Sequence, residues 1–427
     1  MNFGNVLHNK TVRNAGWIIA GRLMNKVIAF LVSVLSARYL GPKDYGLVNY
    51  AMAYTTFFAS VCTLGINSII IKNFLDHPEE EGLAIGSALV MRAISSGLSA
   101  LMIIGIVSIV DRGEPLTILV VALSCVELLF QVFDTFKQWF QSRLESKYAA
   151  LAALVGTAAS ASYKFFLLAT GKSVIWFALG LAVDYAASAA VLITIYRKKQ
   201  GPKLSASVGK GKQLLSSSYS FIISGVMVAV FSGTDRLMLK QLLNEEAVAC
   251  YSLAISLSTA WAFVLDAVIQ SAYPSILRIH GRDKALFEKR NRQLYALIFY
   301  ASAAVSLVIC LMAEPMVKLL YGEAYLPAVW PLRIVVWYTA FSYLGGARSA
   351  WMVCENRQIY LNIIYASAAV INVALNWMLI PVWGASGAAF ATLVTQIATS
   401  ILLPLLIPKL RPNALLILEA LTFQKVI

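Results

Sequence analysis

What most constrains this chain is a succession of about twelve apolar runs, each about 20 residues long, separated by short polar loops. A helix rising about 1.5 Å per residue needs that length to cross the hydrocarbon of a bilayer. Inside hydrocarbon every backbone N–H and C=O must be paired within the protein, so such runs fold as helices. The expected fold class is all-α: a polytopic membrane protein with about twelve transmembrane helices in two six-helix bundles. Composition agrees, because 59% of the 427 residues are hydrophobic and only 13% charged, well below the share in a soluble domain. Met1 to Arg13 is polar and the run after it carries Arg22 and Lys26, so no cleavable signal peptide is expected.

A formal charge of +14 would suit nucleic acid if the cations shared one soluble surface. They fall instead in short loops, where Lys and Arg set topology, so nucleic acid is not an expected partner. With the N-terminus inside, inner segments hold about 22 Lys/Arg and outer segments about 6. Both termini, and the loops Arg197–Lys212 and Arg278–Arg292, are therefore expected in the cytoplasm. The five cysteines stand at no metal-like spacing and the three histidines lie in loops or tails, so no metal is expected. Gly171-Lys172-Ser173 looks like half a phosphate loop, but Phe166 occupies the place of the leading glycine and no strand precedes it. ATP hydrolysis, catalytic residues and cofactors are not expected.

The polar stretch near the middle separates two halves. The expected organisation is 1–196 as an N-terminal bundle, 197–213 as a cytoplasmic linker, 214–409 as a C-terminal bundle and 410–427 as a short cytoplasmic tail. The halves echo each other faintly. Glu145…Lys147-Tyr148 resembles Glu355…Arg357…Tyr360, and Lys164 then aligns with Asn376. One residue of slippage later, Gly171…Ser173…Phe177-Ala178 aligns with Gly384…Ser386…Phe390-Ala391. Parallel repeats about an axis along the membrane normal are a known transporter design.

Charges within spans are costly, about 2.5–3.5 kcal/mol at a helix centre on insertion scales, and point to cavities or partners. Arg22 and Lys26 are four apart in the first span and share a helical face, which suits an anion such as phosphate. Arg92, Lys164, Arg236 and Arg348 are further anion-binding candidates; Arg348 near an inner end could simply snorkel. Glu127, Asp184 and Asp266 are the ion-coupling candidates, since a buried carboxyl is well suited to carry a proton. Glu127, Gln131 and Asp134 follow i, i+4, i+7 spacing on one face. Asp235 reads as nearer a span end and structural. For each of these charges the competing reading is a fixed structural ion pair.

Several motifs resemble the polysaccharide (O-antigen type) flippase family of the multidrug/oligosaccharidyl-lipid/polysaccharide exporter superfamily. They are Ala37-Arg38-Tyr39-Leu40-Gly41-Pro42 with Tyr45-Gly46, Thr234-Asp235-Arg236-Leu237-Met238-Leu239, Leu320-Tyr321-Gly322-Glu323-Ala324-Tyr325, and Gly384 through Thr392. The resemblance implies two six-helix bundles around a central cationic cavity that alternates between inward- and outward-open states. It implies an undecaprenyl-pyrophosphate-linked oligosaccharide as cargo, no catalysis, a bacterial plasma-membrane location, and polymerases or glycosyltransferases as neighbours. Arg22 corresponds in region to a cationic first-span position of such flippases, and Arg236 to their seventh-span motif. An ion gradient would drive an antiporter-like cycle. The rivals are a multidrug or small-molecule exporter of the same superfamily, whose cationic cargo this excess of Arg and Lys would repel, and a membrane enzyme of polysaccharide assembly, for which no large polar loop or paired-carboxylate motif is present.

Overall fold

A computed structural model describes residues 10–423, with side chains from Met24 onward. Among the described residues there are only helices and their connections. Unit 1 begins with α1 (Lys10–Cys62), α2 (Asn67–Asp76), α3 (Glu81–Val110), α4 (Pro115–Ser124), α5 (Val126–Gln131) and α6 (Thr135–Ser142). It continues with α7 (Ser146–Ala169), the short α8 (Val174–Phe177), α9 (Gly180–Lys198) and α10 (Val208–Leu242). Then follow α11 (Glu245–Thr259), α12 (Phe263–Ile279), α13 (Lys284–Leu311), α14 (Ala313–Tyr321), α15 (Val329–Val335), α16 (Tyr338–Ala347) and α17 (Ser349–Cys354). The last helices are α18 (Tyr360–Trp383), α19 (Ala385–Ile397), α20 (Leu403–Leu406) and α21 (Arg411–Leu421). The chain forms two compact units, residues 1–229 and 230–427, and the boundary falls within α10.

Nine helices of the described residues are long and apolar enough to span a membrane, ten when the bent pair α11 and α12 is taken as one span. The first of these contains two, because α1 kinks at Gly41. The broken segment α15–α17 supplies a further run, in keeping with the twelve expected. Gly41 sits at φ 72°, ψ 174°, a conformation that essentially only glycine adopts, and Pro42 follows it. Large apolar side chains face outward: Ile109 is 78% exposed and Val370 70%. Water would penalise such a surface; lipid does not. The chain is a multi-pass membrane protein.

Several runs read from the sequence as single continuous spans are interrupted. Tyr45–Lys72 breaks at 63–66, Pro115–Phe136 breaks at Cys125, and Ala328–Ala350 divides into α15 and α16. Irregular backbone in hydrocarbon persists only where its freed groups find partners inside the protein. Arg92 provides one such partner, donating to the Thr63 carbonyl oxygen at the first break (3.3 Å).

Residues 197–213, expected to link two bundles, fall inside unit 1, where the stretch 202–207 runs along the start of α3. The Ser205 N–H donates to Gly82 O (3.3 Å), the Ser207 N–H donates to Ser87 Oγ (3.0 Å), and Lys210 pairs with Glu80. Nearby, Glu81 Oε2 accepts from Trp139 Nε1 (2.8 Å) and from Arg143 (2.7 Å), whose guanidinium stacks on Trp139. In unit 2, the segment read as a tail carries α21, which docks on α13. Asn413 donates to the Tyr295 hydroxyl (2.7 Å), Arg292 pairs with Glu419 (2.6 Å), and the Tyr300 hydroxyl donates to Leu421 O (2.6 Å). Leu410, Leu416 and Ile417 are buried in the same core as Tyr295 and Trp351.

Candidate functional site

Three of the expected site residues of unit 1, Glu127, Lys164 and Asp184, fall into one polar cluster among apolar helices. Two glycines let α7 and α9 approach closely enough to build it. A Cβ at Gly156 would lie 2.6 Å from Asp184 Oδ1 and 2.2 Å from Ser188 Oγ. A Cβ at Gly180 would lie 2.5 Å from Lys164 Cε, so the lysine stem rests on the bare glycine backbone. That packing holds Lys164 within electrostatic reach of Asp184 and Glu127. Glu127 is buried, and its Oε2 has no hydrogen-bond partner among the described residues. Asp134 forms an ion pair with Lys137 (2.7 Å), Lys137 sits over the Tyr185 ring (5.9 Å), and Gln131 donates to the Tyr185 hydroxyl (3.4 Å). Three carboxylates and two lysines thus share one membrane-embedded region. Such an arrangement can hold an anion against Lys164 and can exchange a proton at a carboxylate that has no fixed cation of its own.

Arg92 is held differently. Besides Thr63 O, its guanidinium donates to Thr135 Oγ1 (3.0 Å) and to Asn67 Oδ1. Its charge is 1% exposed and is spent on joining the break after α1 to the break before α6. Arg348 in unit 2 does the same work. Both of its terminal nitrogens donate to Thr399 O (3.3 Å each), a carbonyl in the π-helical turn Ala398–Leu402. π-turns free carbonyls from the regular ladder, and a buried guanidinium satisfies one here. Arg236 donates from Nε to Ser252 Oγ (3.0 Å). Asp266 is half-buried on α12 within electrostatic reach of Tyr343. Lys26 is exposed; the side chain of Arg22 lies outside the described residues.

The most enclosed carboxylate of unit 2 is Asp235, which the sequence reading set aside. It is 3% exposed, and neutral groups surround it. Tyr251 and Thr392 donate to Oδ2, the latter at 3.2 Å, and Asn376 donates to Oδ1 and to Asn372 Oδ1 (3.0 Å). Asn376 Oδ1 and Asn372 Nδ2 have no partner among the described residues. One carboxylate among amide and hydroxyl oxygens suits a proton or a small hard cation. No group of three or more His, Cys, Asp and Glu side chains suited to a metal occurs among the described residues. A signal for this niche existed in the sequence: Asn372 and Asn376 are polar residues at i, i+4 in an apolar run. Each unit also places a 24-residue helix, α7 or α18, before a glycine turn, and Lys164 and Asn376 occupy those helices.

Comparisons with known proteins agree with this architecture. A family model described as polysaccharide biosynthesis protein matches residues 11–280. No curated protein matches the chain in sequence. An inward-facing multidrug resistance MATE-family transporter of the MOP superfamily superposes with a TM-score of 0.72 at 15% identity, covering 92% of this chain and 96% of its own. The lipid II flippase MurJ, in an inward closed conformation, gives 0.72 at 13% identity, over 94% and 91% of the two chains. A MOP-superfamily transporter from Pyrococcus furiosus, described as having a binding pocket of reverse polarity, gives 0.64 at 14% identity over 96% of each. These similarities establish a shared fold.

Proposed function

The chain belongs to the polysaccharide biosynthesis protein family, and from that premise we propose that it flips undecaprenyl-pyrophosphate-linked oligosaccharide across a bacterial plasma membrane. The observation that carries this reading is Lys164. A half-buried ammonium beside carboxylates, in a span packed to make room for it, is costly unless it meets an anion during the cycle. A pyrophosphate leaving water is such an anion, and Lys or Arg contacts offset its desolvation. Arg22, Lys26 and Arg236 are the remaining cations of the proposed path; Arg92 and Arg348 belong to it less directly, given their backbone partners. The lipid tail stays in the bilayer while the cargo site faces each side in turn.

In this reading the bundles are 1–196 and 214–409, with both termini in the cytoplasm, and the cycle draws on an ion gradient. Glu127, Asp184 and Asp266 are the coupling groups, and Asp235 joins them because it can take up a proton or small cation without breaking an ion pair. Polysaccharide polymerases or glycosyltransferases would be neighbours in the same assembly route. A multidrug exporter is the second reading, favoured by the fold shared with a MATE transporter. The excess of Arg and Lys over acids among the charges within the spans disfavours a cationic cargo.

The test is translocation of a labelled lipid-linked oligosaccharide in proteoliposomes, with membrane abundance measured alongside. Lys164→Ala and Arg22→Ala/Lys26→Ala are expected to reach the membrane normally and to lose most translocation. Normal translocation in both variants, or transport of organic cations in place of the oligosaccharide, would defeat the proposal.

A further inference from the structure

The loops of unit 2 enclose a cavity of about 860 Å³ that plays no part in the transport reading above. Three separate turns converge on it. Arg282 comes from the turn between α12 and α13 and Lys284 from the first residue of α13, Arg357 from the turn between α17 and α18, and Lys409 from the turn before α21. Arg292, about two turns into α13, completes the set. Against these five Lys and Arg stand three carboxylates, Glu288, Glu355 and Glu419. Glu419 is paired with Arg292 (2.6 Å), and Glu355 faces His280 (3.4 Å). Arg282, Lys284, Arg357 and Lys409 form no ion pair among the described residues. The cavity therefore presents a net positive charge, and His280 adds to it when protonated.

Cations in loops ordinarily serve topology and remain solvated. Two observations set this group apart. The cations come from turns distant in sequence yet line one concavity with an apolar wall that includes Phe287, Trp351 and Leu416. Arg292 is also 11% exposed, and its Nε is buried with no hydrogen-bond partner among the described residues. Several Arg and Lys side chains without carboxylate partners among the described residues, around one concavity, are a place for an anion with several acceptor oxygens. The volume far exceeds one phosphate, so the ligand carries a further group against the apolar wall.

We propose that this cavity is a binding site for a phosphate or diphosphate ester, separate from the transport path. The ester can belong to an anionic lipid headgroup, since α13 and α18 enter the membrane from its rim, or to a soluble diphosphate. The proposal does not depend on which cargo is transported, because it is tested by binding alone.

The experiment uses the full chain in phosphatidylcholine nanodiscs. One arm titrates inorganic pyrophosphate and follows thermal unfolding. The other adds phosphatidylglycerol to the nanodiscs and counts lipid retained by native mass spectrometry after detergent extraction. Arg357→Gln/Lys409→Gln is compared with Lys172→Gln/Lys318→Gln, which removes equal charge outside the cavity. Saturable stabilisation by pyrophosphate, weakened about tenfold per cavity cation removed, identifies a soluble source. Phosphatidylglycerol retained by the parent and the control variant but not the cavity variant identifies a headgroup. If the first variant does not fold, Arg282→Gln/Lys284→Gln, on an exposed turn, replaces it. Neither ligand binding, or equal loss in cavity and control variants, overturns the proposal.

Discussion

A carboxylate within a membrane-spanning unit needs either a cation or a set of neutral donors. Asp235 has the second, and its hydrogen bonds come from Tyr251, Asn376 and Thr392. Removing one donor leaves a buried acceptor unsatisfied, at a cost of about 1–3 kcal/mol. Tyr251→Phe is therefore expected to lower the thermal unfolding midpoint by several degrees, and Thr392→Val to do so less, because its contact is the longer one. Asp235→Asn removes the charge but keeps the shape. With Asp235 as a coupling group, that variant stays folded and its translocation no longer responds to an imposed ion gradient; an unchanged response excludes it from coupling. Lys164 offers a different test. Gly180→Ala places a methyl 2.5 Å from Lys164 Cε, so the flexible end of the lysine must move off α9, at a cost below that of overpacking a rigid core. Shortening the lysine relieves that clash, so Gly180→Ala/Lys164→Ala should be more stable than the sum of the single effects. Additive unfolding free energies would show that the two residues do not touch.

At the scale of elements, the breaks in helices carry the design. Gly41 divides α1 into two spans, and nothing lies within 4 Å of a Cβ placed there. Any penalty for Gly41→Ala is then a backbone penalty, about 1–3 kcal/mol for a conformation that side chains disfavour. Thermal unfolding in detergent measures it, and a neutral result would mean that the kink can re-form at another residue. The helix α21 illustrates the opposite case, an element formed late in the chain and held by long-range contacts. Truncation after Pro408 removes Asn413 from Tyr295, Glu419 from Arg292 and Leu421 O from Tyr300. It also exposes buried Tyr295 and strands Arg292 without its carboxylate, the more costly of the two losses. The truncated chain is expected to reach the membrane at a small fraction of the full-length amount; Arg292→Met in the truncated background should recover part of it. Equal abundance of both chains would make α21 dispensable.

Over the whole molecule, the Lys/Arg asymmetry predicts that Arg197–Lys212 and Arg278–Arg292 lie in the cytoplasm. Cysteines introduced at Ser205 and Lys284, in a background lacking the five native cysteines, should resist an impermeant thiol reagent in intact cells and react after lysis; labelling in intact cells would reverse the orientation. The sequence by itself determined the class of fold and the number of spans. Both depend on local properties, the length of an apolar run and the requirement that its backbone pair within itself. It also marked Glu127, Lys164 and Asp184 as exceptional, because a charge within an apolar run is visible without any neighbour. Only the tertiary structure decided what each charge meets. Asp235 looked structural from its place in one span, but its partners Asn376 and Thr392 are 141 and 157 residues away. Arg92 looked like a cavity residue, but the carbonyl it satisfies exists only because α1 breaks at 63–66. The loop cations looked like topology signals alone until three turns placed them around one cavity. The physical reason is the same in each case: the cost of a buried charge depends on polar groups that packing brings to it from distant parts of the chain, and no local pattern encodes their arrival.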